Sequence, residues 1–356
     1  MNFREIASAL LNSITRERGW RSYMIWFFST LFALIASSVI IIFIANPYRN
    51  IPFAPWKNSP IMDIEQRFHY PALARSPHYN SSVFGTSTGR LLRPAKLNDV
   101  LTGAWAQMSM NNATAYEQYR LAKLFMLHHP QALHILHTVD GTWCGIGETY
   151  QKFTRRRWPE WMFDENPWND LPKLLDSKTI EIAVRAFGYI LGKNKVRLGN
   201  DGYSDFTPEN THYDLGKVLK NLYGEQGKRD PKSDNLLYSE GQLAAFKFPT
   251  HRLLEELYVN KNANTKLTLA FMPYHYFIQG AEKGKIYQVR TECKNRLVEM
   301  FRMVENVDVV DFMFHSPITK NDLNYWDSLH YKREVADLIV RELAENSQTE
   351  NMRVLK

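Results

Sequence analysis

Cysteine is nearly missing from this chain: 356 residues contain two, Cys144 and Cys293. Two cysteines so placed match no zinc spacing and no CxxC redox pair. Spacing alone leaves open whether they form a disulfide or stay as two buried thiols. Repeats and low-complexity tracts are also missing, so solenoids and arrays are excluded. A concentrated basic stripe is absent as well. The net charge is +7, but Lys and Arg are spread along the chain. The one short run, Arg155-Arg156-Arg157, is broken at once by Trp158-Pro159 and Glu160. It reads as a solvated loop, with contact to an acidic glycan or lipid head group left open; nucleic acid is not an expected partner. With 44% hydrophobic and 23% charged residues the composition is that of a folded protein. The length suffices for one large domain or two ordinary ones.

Charge is missing where its absence matters most. No charged side chain occurs from Ser22 to Tyr48, and residues 23–45 are dominated by Ile, Phe, Leu, Ala and Trp. At about 1.5 Å per residue such a helix crosses a hydrocarbon core of about 30 Å. The run exceeds the roughly 7–15 apolar residues of a secretory signal, so a retained anchor is expected. Trp26 and Tyr48 stand near its two ends, where interfacial aromatics belong. Arg4, Arg16, Arg18 and Arg21 precede it, whereas Arg49 and Lys57 follow it. This bias keeps residues 1–22 in the cytoplasm and exports the remainder. Phe3, Ile6, Leu10, Leu11 and Ile14 give the N-terminal segment a weak amphipathic pattern suited to the inner membrane surface.

Residues 46–80, rich in Pro, Asn and aromatics, read as a tether that packs on the following domain. From 81 to 345, strands at 82–86, 103–110, 133–139, 266–272 and 307–314 alternate with helices at 116–128, 287–304 and from 330 to about 345. That alternation predicts an α/β fold, a three-layer parallel sheet flanked by helices. Residues 145–262 interrupt it as a helical insertion or lid, with helices near 176–191, 211–223 and 239–259. Residues 346–356 read as a C-terminal tail.

Three segments carry the chemistry. Gly85-Thr86-Ser87-Thr88-Gly89 closes the first strand, where open α/β sheets place their sites and where flanking glycines allow a tight turn. The same residues suit an ordinary turn or a phosphate nest, although the P-loop lysine is missing. Asp327-Ser328-Leu329-His330 precedes the last helix. An Asp three residues before a His can hold its Nδ1 and free Nε2 to take a serine proton; helix capping by Asp327 is the plainer alternative. Met108–Glu117 leads from the second strand into a helix. Its backbone around Asn112 can stabilise an oxyanion, or the segment is simply a capped helix start with Thr114 and Glu117 as a capping box.

The order of these segments, with Asp140 ending the third strand, resembles the SGNH (GDSL-like) hydrolase superfamily. More narrowly, it is similar to the membrane-anchored bacterial branch related to polysaccharide O-acetylation and teichoic-acid D-alanylation proteins. The resemblance covers about 80–142 and 265–345. It implies an SGNH/flavodoxin-like sheet, Ser87 as nucleophile, His330 as base, Asp327 as its orienting partner, and the backbone N–H groups of Ser87 and Asn112 as oxyanion donors. Two departures stand out. Asn112 occupies a position where the family usually has glycine, and the block 136–141 offers Asp140 but no Asn donor. Asp140 and His275 are the further candidates for facing substrate.

The activity so implied is that of an extracytoplasmic serine esterase or O-acyltransferase, anchored by one helix in the bacterial inner membrane and facing the periplasm. It would act on a glycan or acylated envelope component, with a membrane acyl-donor protein as a possible partner. The competing expectations are an inactive glycan-binding scaffold of a polysaccharide assembly and a small-acyl lipase or thioesterase. No cofactor or metal is expected. His128 and His129 lie at a helix end, while His134 and His137 alternate across a strand, so the four converge on no ligand geometry. His275 and His315 follow strands at the same sheet edge, where ordinary loop histidines are equally at home. Trp143, Trp158, Trp161 and Trp168 open the insertion, either as sugar-stacking faces or as its core.

Overall fold

The computed structural model describes the backbone from Phe3 to Lys356, except Pro167 and Asn235, and side chains from Gly19 onward. The amphipathic pattern read in residues 1–21 falls on side chains outside those described. The chain forms two compact units: Met1–Met62 with Asn166–Val196, and Asp63–Glu165 with Arg197–Lys356.

In the first unit one helix runs from Phe3 to Ala45. Its stretch Gly19–Ala45 is long and apolar enough to cross a membrane, and almost none of it is covered by protein. The helix stops at Asn46, which takes a left-handed φ of 42° that Asn tolerates better than most residues. Its N–H donates to Ile42 O at 2.8 Å. The exit is then cross-bonded: Asn46 O accepts from Ser59 Oγ (2.7 Å), and Asn46 Oδ1 accepts from Ile51 N–H (3.1 Å). Arg49 Nε donates to Ser59 O (2.8 Å). Residues 46–62 are thus a folded knot, and the segment read as one tether is divided between the units. So is the segment read as one insertion, because Ser177–Ile190 forms a helix in the unit of the N-terminal helix. Asp176 caps that helix by accepting from Lys178 N–H (2.9 Å) and Thr179 N–H (3.2 Å). Its Thr179, Ile182, Ala183 and Ala186 are buried, and it packs against the helix Phe3–Ala45.

The second unit is built on a six-stranded sheet. Its strands are β1 (Ser81–Phe84), β2 (Trp105–Gln107), β3 (His134–Val139), β4 (Lys266–Phe271), β5 (Val307–Asp311) and β6 (Arg353–Val354). The order is β2-β1-β3-β4-β5-β6, with β1 to β5 parallel. Strands buried on both faces explain the continuous apolar runs. Val83, Leu136, Ala270 and Val310 join one core with Leu97, Val335 and Ile339 from the helices Pro94–Val100 and Arg333–Glu345. On the alternate positions, Phe84 meets Phe125 of helix Ala115–His128 (centroids 5.7 Å apart), and Asp311 accepts from Lys294 of helix Lys285–Phe301 (2.7 Å).

The sheet corrects the all-parallel expectation: β6 pairs antiparallel with β5. Residues 346–356 are therefore not a loose tail. Asn346, at φ 46°, ends the last helix, and the chain turns back so that Val309 N–H donates to Lys356 O at 2.8 Å. A two-residue strand is too short to leave a periodic signature. The cysteine question is also answered, since Cys144 and Cys293 are joined in a disulfide.

Candidate functional site

In the order β2-β1-β3, the connections leaving β1 and β3 diverge, which opens a crevice at their carboxyl ends. Ser87 lies on the turn after β1, and Asp140 follows β3. Gly85 and Gly89 flank Ser87 because both backbones press on one side chain. A Cβ at either would meet Thr138 Oγ1, at 1.8 and 2.1 Å respectively. Thr138 is fixed in turn, donating its hydroxyl to Phe84 O (2.9 Å). On the other flank, Met110 N–H donates to Gly85 O (2.9 Å).

His330 comes from the loop before the last helix. That loop closes on itself through a bridge between Tyr325 and Tyr331, and Trp326 N–H donates to His330 O (2.8 Å). Asp327 Oδ1 accepts from the N–H groups of Leu329 (2.8 Å) and His330 (2.9 Å). Its Oδ2 lies 2.7 Å from His330 Nδ1, and His330 Nε2 lies 2.8 Å from Ser87 Oγ. Partial burial pushes the Asp327 carboxyl up, but the His330 ring and the two backbone donors outweigh this and hold it below its ordinary range. A carboxylate only accepts, so Nδ1 carries its proton toward Asp327; in the neutral tautomer this leaves Nε2 as the acceptor for the serine hydroxyl.

Asn112 has a φ of 50°. The left-handed region favours glycine, and Asn tolerates it better than most other residues. Among the described residues the backbone N–H groups of Ser87 and Asn112 donate to nothing. The capping box is also present: Thr114 Oγ1 accepts from Glu117 N–H, and Glu117 Oε2 from Thr114 N–H, both at 3.1 Å. It occupies Thr114 and Glu117 while leaving the Asn112 N–H open.

Asp140 and His275 are both buried, with other partners. Asp140 accepts from Thr86 Oγ1, beside the serine, and from Thr142 N–H (2.9 Å) and Oγ1 (2.6 Å); burial raises its carboxyl pKa. It steadies the serine turn across the crevice. His275 Nε2 meets Asp322 Oδ1 at 3.0 Å, and its backbone N–H donates to Ser328 O (3.0 Å), so it holds the Asp327–His330 loop from beneath. Burial lowers its pKa. His134 and His137 are core groups: His134 Nε2 is 2.9 Å from Thr268 Oγ1, and His137 Nδ1 is 2.8 Å from Tyr258 Oη.

Three residues that sequence reading passed over complete the site. Tyr331, fully buried, donates its hydroxyl to Thr88 O (2.6 Å) and ties the histidine loop to the serine turn. Arg90, 2% exposed, donates to Asn111 Oδ1 (2.7 Å) and Ser204 Oγ (2.6 Å). No carboxylate pairs with it among the described residues. Its guanidinium lies over Phe206 (4.6 Å), whose ring stands edge-on to His330 (centroids 5.5 Å apart). Arg90 thus reaches both the loop of Asn112 and the wall beside His330. An Arg three residues after a glycine-flanked Ser was the only signal available. Arg67 supports the same loop, donating to Asn111 O (3.3 Å) from its buried pair with Glu117 (2.6 Å).

No family model matches the chain, and no curated protein matches it in sequence.

Proposed function

We propose that the protein is a membrane-anchored serine esterase or O-acyltransferase of the SGNH type, with Ser87 as nucleophile, His330 as general base and Asp327 as its orienting carboxylate. The observation that carries this reading is the unbroken chain Ser87 Oγ–His330 Nε2 (2.8 Å) and His330 Nδ1–Asp327 Oδ2 (2.7 Å), assembled from segments 243 residues apart. Ser87 Oγ attacks the acyl carbonyl as its proton passes to His330 Nε2. The oxyanion is met by the N–H groups of Ser87 and Asn112. Collapse expels the alcohol, which takes the proton back from His330 and leaves the acyl group on Ser87. Water or a sugar hydroxyl then gives its proton to His330, attacks the acyl-enzyme and frees Ser87.

The substrate class follows from the resemblance and the anchor: an acylated glycan or another envelope component, with a membrane acyl donor in the transferase case. The arginine bias before the span favours a cytoplasmic N-terminus and a periplasmic second unit in a bacterial inner membrane. The Cys144–Cys293 disulfide supports an oxidising compartment. A glycan-binding scaffold without turnover is the competing reading. It is favoured by the buried Asp140 standing where an Asn donor is usual.

The test is intact-mass analysis of the detergent-solubilised full chain after exposure to activated acyl esters. One acyl adduct, absent in Ser87→Ala, is expected. No adduct and no ester turnover with acetyl, butyryl and D-alanyl donors would overturn the enzyme reading. Adding sugar acceptors to the acylated protein separates transfer from hydrolysis.

A further inference from the structure

The helix Ser177–Ile190 is apolar on more of its surface than its own unit covers. One stripe, Thr179, Ile182, Ala183 and Ala186, is buried. A second apolar stripe at helical spacing, Ile180, Val184, Phe187 and Leu191, follows the 3.6-residue period equally well; Ile180 and Phe187 are half-buried, Phe187 against Trp56, and the other two are open. Val184 is 53% exposed and Leu191 68%, with Ile190 beside it at 62%. The two stripes adjoin, and the charged residues share the opposite side, where Lys178 and Arg185 both pair with Glu181. A helix facing water on one side needs one apolar stripe, not two.

The surplus continues along the rest of the unit. Phe43 of the anchor helix lies against Phe53 (centroids 5.6 Å apart), which stacks on Trp168 (5.2 Å). Phe53 and Trp168 are otherwise open, at 48% and 63% exposed. An aromatic ladder thus continues from the last turns of the apolar span. Charge has the complementary sign: residues 46–62 and 166–196 hold seven Lys or Arg against three Asp or Glu. Exposed Lys193 and Lys195, just past the apolar tip, pair with no carboxylate among the described residues.

We propose that the helix Ser177–Ile190, with Phe53, Trp168 and Leu191, lies in the head-group–acyl boundary of the bilayer that the anchor crosses, as a second and monotopic membrane contact. The proposal rests on the anchor being membrane-spanning. Continuity with that span selects lipid as the occupant. Amphipathic helices bind in this way by burying an apolar face about 5–10 Å deep while basic residues meet anionic head groups, and aromatic rings collect at the same depth.

The experiment uses the full chain in vesicles of phosphatidylcholine and phosphatidylglycerol. An environment-sensitive fluorophore is attached through Val184→Cys, Leu191→Cys, Phe32→Cys or Met303→Cys. Phe32 reports the span, and Met303, 88% exposed in the second unit, reports water. Labels at 184 and 191 are expected to be quenched by nitroxides shallow in the acyl chain and shielded severalfold from aqueous iodide relative to 303. Iodide-accessible labels at 184 and 191, with 32 quenched by lipid, would overturn the proposal and leave the anchor intact. Labels shielded from both quenchers would also overturn it, and would mean that a protein covers the face. An iodide-accessible label at 32 would instead refute the membrane span itself.

Discussion

Replacing Gly89 by Ala tests the shape of the serine turn without assuming any activity. The added Cβ would stand 2.1 Å from Thr138 Oγ1 and 2.9 Å from its Cγ2, where ordinary contact begins at 3.4 Å. Thr138 must therefore move by more than 1 Å. As a β-branched strand residue it can do so only by changing rotamer and giving up its bond to Phe84 O. Overpacking costs about 1–3 kcal/mol, and the forfeited hydrogen bond about 1 kcal/mol more. Gly89→Ala should thus cost about 2–4 kcal/mol, while Thr138→Ala, which loses the bond and one methyl, should cost about 1–2 kcal/mol. The double variant should be close to Thr138→Ala, because the two nearest atoms to the new methyl are gone and the next, Ser109 Oγ, stands at 3.0 Å. Gly85→Ala is the contrast. Its φ of +152° and its contacts with the Thr138 backbone carbonyl and Cβ (both 3.1 Å) survive Thr138→Ala, so no rescue is expected. The readout is the thermal midpoint of the detergent-solubilised full chain by near-ultraviolet circular dichroism. A tolerated Gly89→Ala, or a double variant whose losses simply add, would refute the packing argument.

Asp327→Asn should lower the rate of Ser87 acylation about 10³–10⁴-fold with little change in stability, since an amide no longer fixes the tautomer of His330; a loss under tenfold, measured by stopped-flow with an activated ester, would count against the assigned roles. In the parent, Asp327 stays ionised below the ordinary carboxylate range, so its protonation should put no step in the acylation profile within that range; a step there would count against the Asp327–His330 contact. Burial lowers the pKa of His134 and of His137 to about 3, so the folded state binds fewer protons than the unfolded one. Their contribution is therefore complete above the unfolded value of about 6.5 and declines as pH falls toward 3. Urea midpoints should drop across that window, and His137→Phe should flatten the decline; an unchanged slope would refute it. Reducing Cys144–Cys293 releases a closure of 149 residues. The chain-entropy limit for such a loop is about 5 kcal/mol, so a clear fall in the thermal midpoint with dithiothreitol is expected.

How much of this was legible follows from distance along the chain. The strands β1, β3, β4 and β5 announced themselves as apolar runs because both faces of the sheet are covered. Flanking glycines and the Asp-x-x-His spacing marked Ser87 and His330, local patterns that need no partner to be visible. The disulfide was not legible, because two cysteines 149 residues apart carry no geometry. The division of residues 145–262 was equally hidden, since contacts with the N-terminal helix and with Trp56, distant in sequence, place Ser177–Ile190 in that unit. Tyr331 and Arg90 passed unnoticed for the same reason. Their roles lie in bonds to Thr88 and Ser204, residues 243 and 114 positions away. Asp140 and His275 were visible as polar residues at strand ends, but their burial and partners depend on what packs above them.

The distance between Ser87 and His330 also sets the order in which the site comes into being. The serine turn can form once β1, β2 and β3 have paired, yet it stays without its imidazole until β4, β5 and the loop beyond them have followed. A chain made from its N-terminus therefore holds Ser87 apart from His330 until nearly all of it has been synthesised. The Tyr331–Thr88 bond that ties the histidine loop to the serine turn likewise needs residues from the last part of the chain, so turn and loop can be joined only when synthesis is almost complete.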